Sequence, residues 1–126
     1  MTLFNLSKTG LILSILSIIA GAVVRATGSG NGCGSSWPSC NGQLIPSLNS
    51  ASEQIEFSHR SISGLLLIVT LVIFLKSFHP SVPNIQKKVI KYLTFFVLFE
   101  ALIGAVIVLY EWVGMNSSLP RVAAVP

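Results

Sequence analysis

The run Glu56-Phe57-Ser58-His59-Arg60 gathers an acid, an imidazole and a guanidinium within five residues. On a helix, Glu56 and His59 share a face one turn apart, while Glu56 and Arg60 stand at the spacing of an ion pair. A neutral imidazole is a common ligand for metals and for heme iron. An Arg beside it suits carboxylates, porphyrin propionates included, because its planar fork binds them bidentately. The same residues also admit a plainer reading: a polar helix end with a snorkelling Arg and an interfacial His.

Cys33 and Cys40 are the only cysteines. A bond between them would close an eight-residue loop, worth about 2.5 kcal/mol in the chain-entropy model. That bond is either a staple for a glycine-rich segment or a redox-active pair. Their spacing does not suit zinc, and His59 is the only nearby third ligand. Gly28-Ser29-Gly30-Asn31-Gly32 has no preceding strand and no helix directly after it, so it reads as tight turns rather than a phosphate loop. Glu100 lies inside an apolar run, where a bare carboxylate is costly. It is a proton relay or a protonated helix contact. Gly104, one turn on, would let a helix or a flat cofactor come close. His79, beside Pro80, reads as a helix-end residue.

These residues need elements to position them, and the composition says which. Of 126 residues, 52% are apolar and 10% charged, against about a quarter charged in soluble domains. The apolar run Val89–Tyr110, interrupted by Lys91 and Glu100, is long enough for a span alone; Leu11–Val24, extendable back to Leu3 with breaks at Asn5, Ser7 and Lys8, and Ile62–Leu75 are spans once their flanking turns are counted. The expected fold is all-α, a polytopic membrane helical bundle of three transmembrane helices in a single domain, 1–126. Helix 1 covers about 8–26, an outer disulfide loop 27–50, helix 2 about 51–78, a cytoplasmic loop 79–86, helix 3 about 87–112 and an outer tail 113–126. Ser50-Ala51-Ser52-Glu53 fits a capping box that opens helix 2. At 1.5 Å per residue helix 2 is about 40 Å long, beyond the ~30 Å hydrocarbon core, so its first turns, with Glu56 and His59, project outward. The Gly/Ser/Asn/Pro-rich loop cannot sit in lipid with its amides unsatisfied.

The net charge of +4 is carried by lysines at 8, 76, 87, 88 and 91, beside span ends. This predicts a multi-pass cell-membrane protein with a cytoplasmic N-terminus and with residues 27–50 and the C-terminus extracytoplasmic. The lysines also touch anionic membrane lipid. With no aromatic platform among them, nucleic acid is not an expected partner. Lys8, the first apolar run and Ala20-Gly21-Ala22 carry a competing reading as a cleaved secretory signal.

A longer string completes the picture. Gly21-Ala22-Val23-Val24-Arg25-Ala26-Thr27-Gly28-Ser29-Gly30 leads into Cys33, Trp37-Pro38 and Cys40. Gly42, Pro46, Glu56 to Arg60, Gly64 and Glu100-Ala101-Leu102-Ile103-Gly104-Ala105 follow in order. This string resembles the N-terminal half of the heme A synthase family, polytopic membrane enzymes that oxidise a ring methyl of heme O to the formyl group of heme A for terminal oxidases. The resemblance implies that His59 is an axial ligand of heme iron on the outer side. It implies heme b as cofactor, held by His59 and Arg60, and heme O as substrate. Glu56 becomes the catalytic carboxylate, moving protons or stabilising positive charge near the methyl. The Cys33–Cys40 pair matches the loop cysteines of one subset of the family, and the first helix is retained. Arg25 and Glu100 lie in the matching string and are further candidates. In the family the opposing ligand comes from a fourth helix, and this sequence stops before one. A missing C-terminal half or a second subunit is therefore an expected partner, with heme O synthase and the terminal oxidase beyond it. The alternative is a non-catalytic heme-binding protein or oxidase assembly factor.

Overall fold

A computed structural model describes residues 1–110; the expected outer tail and the last turn of helix 3 lie outside the described residues. Three helices carry the chain: α1 (Leu3–Ala26), α2 (Ala51–Ser77) and α3 (Asn84–Leu109). A single 3-10 turn, Ser29–Asn31, interrupts the first connection. There is no strand among the described residues beyond one isolated bridge, Cys40 to Gln43.

Helix α1 begins at Leu3 rather than near residue 8. The Thr2 hydroxyl accepts the Asn5 N–H at 3.3 Å, a side-chain cap. The polar residues that seemed to interrupt the apolar run are satisfied on the helix itself. Ser7 and Thr9 donate back to the carbonyls of Leu3 and Asn5 at 2.9 and 3.0 Å, and the Lys8 ammonium stands 5.6 Å from the centre of the Phe4 ring. Helix α3 likewise starts earlier than expected, at Asn84, because Pro83 serves as its N-cap and pre-sets the entry of the chain.

At α2 half of the capping box forms. The Ser50 hydroxyl accepts the Glu53 N–H at 3.3 Å. The Glu53 carboxylate does not return to Ser50; it accepts the Ser47 N–H at 2.9 Å and the Asn41 amide at 3.0 Å. The acid that would close the box reaches into the loop instead.

Helix α2 is the centre of the bundle, packed against both α1 and α3. At the lysine-bearing end, Leu6, Ile73 and Ile90 form a three-helix core flanked by Leu3, Val69 and Phe74. Midway along, the hydroxyls of Ser17 and Ser63 bond across α1 and α2 at 2.8 Å. Outward faces carry exposed Ile12, Ile15, Ile18, Leu65, Ile68, Phe95, Phe96 and Phe99. In water such faces would aggregate; in a bilayer they are solvated by lipid tails. All three helices are long and apolar enough to cross a membrane, and the protein is an all-α, multi-pass membrane protein.

Candidate functional site

The first turns of α2 hold two sets of contacts, one to the loop and one to α1. On one side, Glu56 is buried at 3% exposure. Its Oε2 accepts the backbone N–H of Cys33 at 2.8 Å, and its Oε1 pairs with Nη2 of Arg60. Arg60 then donates through Nη1 to the carbonyls of Ser36 and Ser39 at 2.6 and 2.8 Å. Acid and guanidinium together grip the loop that Cys33 and Cys40 close. Those cysteines are disulfide-bonded and fully buried. Gly32 seats the loop on α2 by close approach: a Cβ there would lie 2.5 Å from the Ser52 carbonyl oxygen. Gly28, at φ +67°, is the turn glycine that the sequence suggested.

On the other side, the His59 ring lies against α1. A Cβ on Gly21 would be 3.2 Å from its Cε1 and 3.5 Å from its Nε2. Nδ1 is buried and has no hydrogen-bond partner. The charged groups acting on the ring are Glu100 of α3 first, then Glu56 and Arg60. Glu100 is exposed mid-helix, and Gly104, one turn on, has open space within 4 Å of its Cβ position.

The structure thus brings Glu56, Arg60, Cys33 and Cys40 into one cluster, while the His59 ring lies against Gly21 of α1. Arg25 stands apart, exposed in the last turn of α1. His79 bonds Ser81 through Nδ1 at 2.8 Å, as a helix-end residue would.

Among the described residues no three His, Cys, Asp or Glu side chains converge on a point that would hold a bare metal ion. A porphyrin makes no such demand, since it brings four nitrogens and asks the protein for axial ligands only. His59, an imidazole with a buried nitrogen that no protein group satisfies, is the residue here that could supply such a ligand. Gly21, Ser17, Ser63 and the loop-holding role of Glu53 escaped sequence reasoning. The spacing was there to be read: Ser17 and Gly21 are one turn apart on α1, as His59 and Ser63 are on α2.

Comparison with known proteins bears on what this arrangement serves. The family COX15-CtaA, cytochrome oxidase assembly protein, matches residues 5–125. A heme A synthase of Macrococcus caseolyticus is 40% identical over 124 residues, 91% of this chain and 40% of that protein. A heme A synthase of Exiguobacterium sp. is 40% identical over 100 residues, 77% of this chain and 33% of that protein. A protoheme IX farnesyltransferase of Thermus thermophilus is 40% identical over 117 residues, 88% of this chain and 18% of that protein. The chain therefore spans well under half the length of these relatives. No solved structure matches it significantly. With the family match running almost end to end, the chain belongs to the heme A synthase family of cytochrome oxidase assembly proteins.

Proposed function

We propose that this chain is the heme-holding first part of a heme A synthase, with His59 as an axial ligand of heme b iron. The reaction it serves is oxidation of a ring methyl of heme O to the formyl group of heme A. The observation that carries the reading is the state of the His59 ring, which lies against Gly21 of α1 with a buried Nδ1 that has no hydrogen-bond partner. A bound heme supplies the redox chemistry. The protein's own residues bind and orient it. His59 would hold the iron, and the Arg60 N–H groups not used by Glu56, Ser36 and Ser39 would be free for propionates. Glu56 would supply a carboxylate whose fixed negative charge in a water-poor site favours developing positive charge.

A second ligand to the iron would come from a further segment or subunit, in keeping with the greater length of the relatives. Heme O synthase and the terminal oxidase are its functional neighbours. The partial match to a protein named protoheme IX farnesyltransferase supports the first of these. The lysine end faces the cytoplasm and the disulfide loop faces outward. Cys33 and Cys40 staple that loop.

One observation favours the second reading, a non-catalytic heme-binding or assembly protein. Both Glu56 oxygens are already engaged, by Arg60 and by the Cys33 amide. Two measurements separate the readings. Reduced-minus-oxidised visible spectra of the detergent-purified chain with added heme should show a band that His59→Ala abolishes; no band in the unaltered chain sinks both heme readings. Heme extracted from cells that make heme O should contain heme A when this chain and the rest of its enzyme are supplied. Heme binding without heme A leaves the non-catalytic reading.

A further inference from the structure

The connection between α1 and α2 carries apolar side chains that the site does not use. Leu44 and Leu48, at 86% and 84%, are the most exposed large apolar side chains among the described residues, and Ile45 between them is 74% exposed. Trp37 is half-exposed on the same disulfide loop. A single exposed leucine says little, but these four stand on a loop that is held from several points. Cys40 and Gln43 exchange two main-chain hydrogen bonds of 2.9 Å just before Leu44. Glu53 accepts the Ser47 N–H at 2.9 Å, and the Gln54 amide donates to the Leu48 carbonyl at 2.7 Å. Arg60 donates to the Ser36 and Ser39 carbonyls on either side of Trp37. These bonds all use main-chain groups of the loop, so they satisfy its backbone and leave its apolar side chains outside.

The partners on α2 also fix how deep the loop lies. From Glu53 to Arg60 the helix covers about 10 Å of axis. Helix α2, with 27 residues, exceeds the hydrocarbon core by a similar ~10 Å. If the whole excess emerges at this end, the loop lies among the headgroups; any share that emerges at the lysine end draws the loop toward the acyl chains. The loop therefore runs beside α2 at the membrane boundary and not above it. Between Arg25 and Glu53 there is no charged residue, so entering that boundary desolvates no ion. Irregular backbone is admitted there only when its amides are satisfied, and α2 supplies the partners just named.

We propose that residues 37–48 form an interfacial membrane anchor, with Leu44, Ile45 and Leu48 inserted at the headgroup–acyl boundary of the leaflet at this end and the Trp37 ring at the same level. Trp suits that zone because its ring is apolar in body and polar at its N–H. The occupant is lipid because the patch is neutral, lies at bilayer depth, and belongs to a bundle whose exposed helix faces are already solvated by lipid tails. The anchor holds the loop, and with it the clamp of Glu56 and Arg60, at a fixed depth. It stands or falls independently of the heme reading.

The test places the full chain in phosphatidylcholine vesicles and reads single tryptophans. Trp112→Phe leaves Trp37 as the only reporter; Leu44→Trp, combined with Trp37→Phe and Trp112→Phe, moves the reporter to the patch. Acyl chains brominated near the glycerol end should quench both reporters. For Leu44→Trp that quenching should be about twofold or more above that from bromine near the terminal methyl, as for a group buried roughly 5–10 Å into the boundary. Leu65→Trp in the same background, exposed midway along α2, should show the opposite order. Trp37 is native, so its quenching keeps the test open should Leu44→Trp fail to fold. Strong quenching by acrylamide with none by brominated lipid places the loop in water and overturns the proposal. Protection from acrylamide that disappears as the protein is diluted in lipid, without quenching by bromine, assigns the patch to a second copy and overturns it too. Bromine quenching that is lost when the rest of the enzyme is reconstituted with the chain assigns the patch to that partner, with the same result.

Discussion

Glu56 holds Cys33 by its backbone: Oε2 accepts the Cys33 N–H at 2.8 Å across 23 residues of sequence. The acid expected at the chemistry is therefore also the anchor of the disulfide loop. Its second oxygen takes Arg60, whose other nitrogen binds the far side of the same loop. Both side chains are nearly sealed, at 4% and 11% exposure, so the pair cannot be opened at the small cost of a surface salt bridge.

Removing Arg60 should accordingly be severe. Arg60→Ala leaves a buried carboxylate without its countercharge and frees two loop carbonyls; breaking such a pair costs about 3–5 kcal/mol. Arg60→Lys keeps the charge but has one donor point where the guanidinium has a fork, so it should fall between. Thermal melts in detergent, with the rate of Cys33–Cys40 reduction by a small thiol, read both effects. Arg60→Ala that melts like the unaltered chain with its disulfide equally protected would show that the clamp holds nothing.

Glu56→Gln tests which of the acid's two jobs matters. The amide oxygen can still accept the Cys33 N–H, so the loop should stay seated better than in Arg60→Ala. Hemin binding through His59 should persist, since the ring packs against Gly21 of α1 and Glu56 makes no hydrogen bond to it. Heme A yield, measured with the rest of the enzyme present, should fall. A yield that tracks loop protection across Glu56 and Arg60 variants, with no extra loss for Glu56→Gln, would make Glu56 an anchor only.

Hydropathy made the three helices and the order of the chain legible, because bilayer solvation is a bulk property of many residues at once. The Glu56–Arg60 pair was legible from helical spacing alone. Direction was not. Whether Glu56 faces His59 or the loop depends on where a segment twenty residues upstream folds back, and local spacing carries no record of that. The first run could be extended back to Leu3, but Asn5, Ser7 and Lys8 lower an averaged hydropathy and put the expected start near 8; Ser7 and Lys8 find partners within one helical turn. Gly21 read as a small residue near a possible cleavage site; its value lies in the imidazole opposite, which only packing reveals.

The two loop glycines should respond to alanine differently. Gly28 has a left-handed φ of +67° and nothing within 4 Å of its Cβ position. Gly28→Ala should therefore cost only backbone strain, about 1–2 kcal/mol. Gly32 has an ordinary helical φ of −62°, but its Cβ would meet the Ser52 backbone at 2.5 Å. The two nearest atoms are backbone and cannot swing aside, so Gly32→Ala should lift the loop from α2 and speed disulfide reduction well beyond Gly28→Ala. The reverse order would mean that backbone strain, not close approach, governs the loop.

Glu100 and His59 sit at matching depth, nine residues before the end of α3 and eight after the start of α2. Glu100 is the leading charged influence on the ring, and among the described residues no hydrogen bond or ion pair to it is found. A carboxylate in a low-dielectric surrounding acts over several ångströms, and a nearby negative charge favours ferric over ferrous iron. Glu100→Gln should therefore raise the midpoint potential of heme bound through His59, while leaving the amount bound and the thermal melt nearly unchanged. Spectroelectrochemistry of the hemin-loaded chain reads the shift. A potential equal to that of the unaltered chain would show that Glu100 carries no charge in the field of the iron, and its place in the site would then be that of a neutral helix contact.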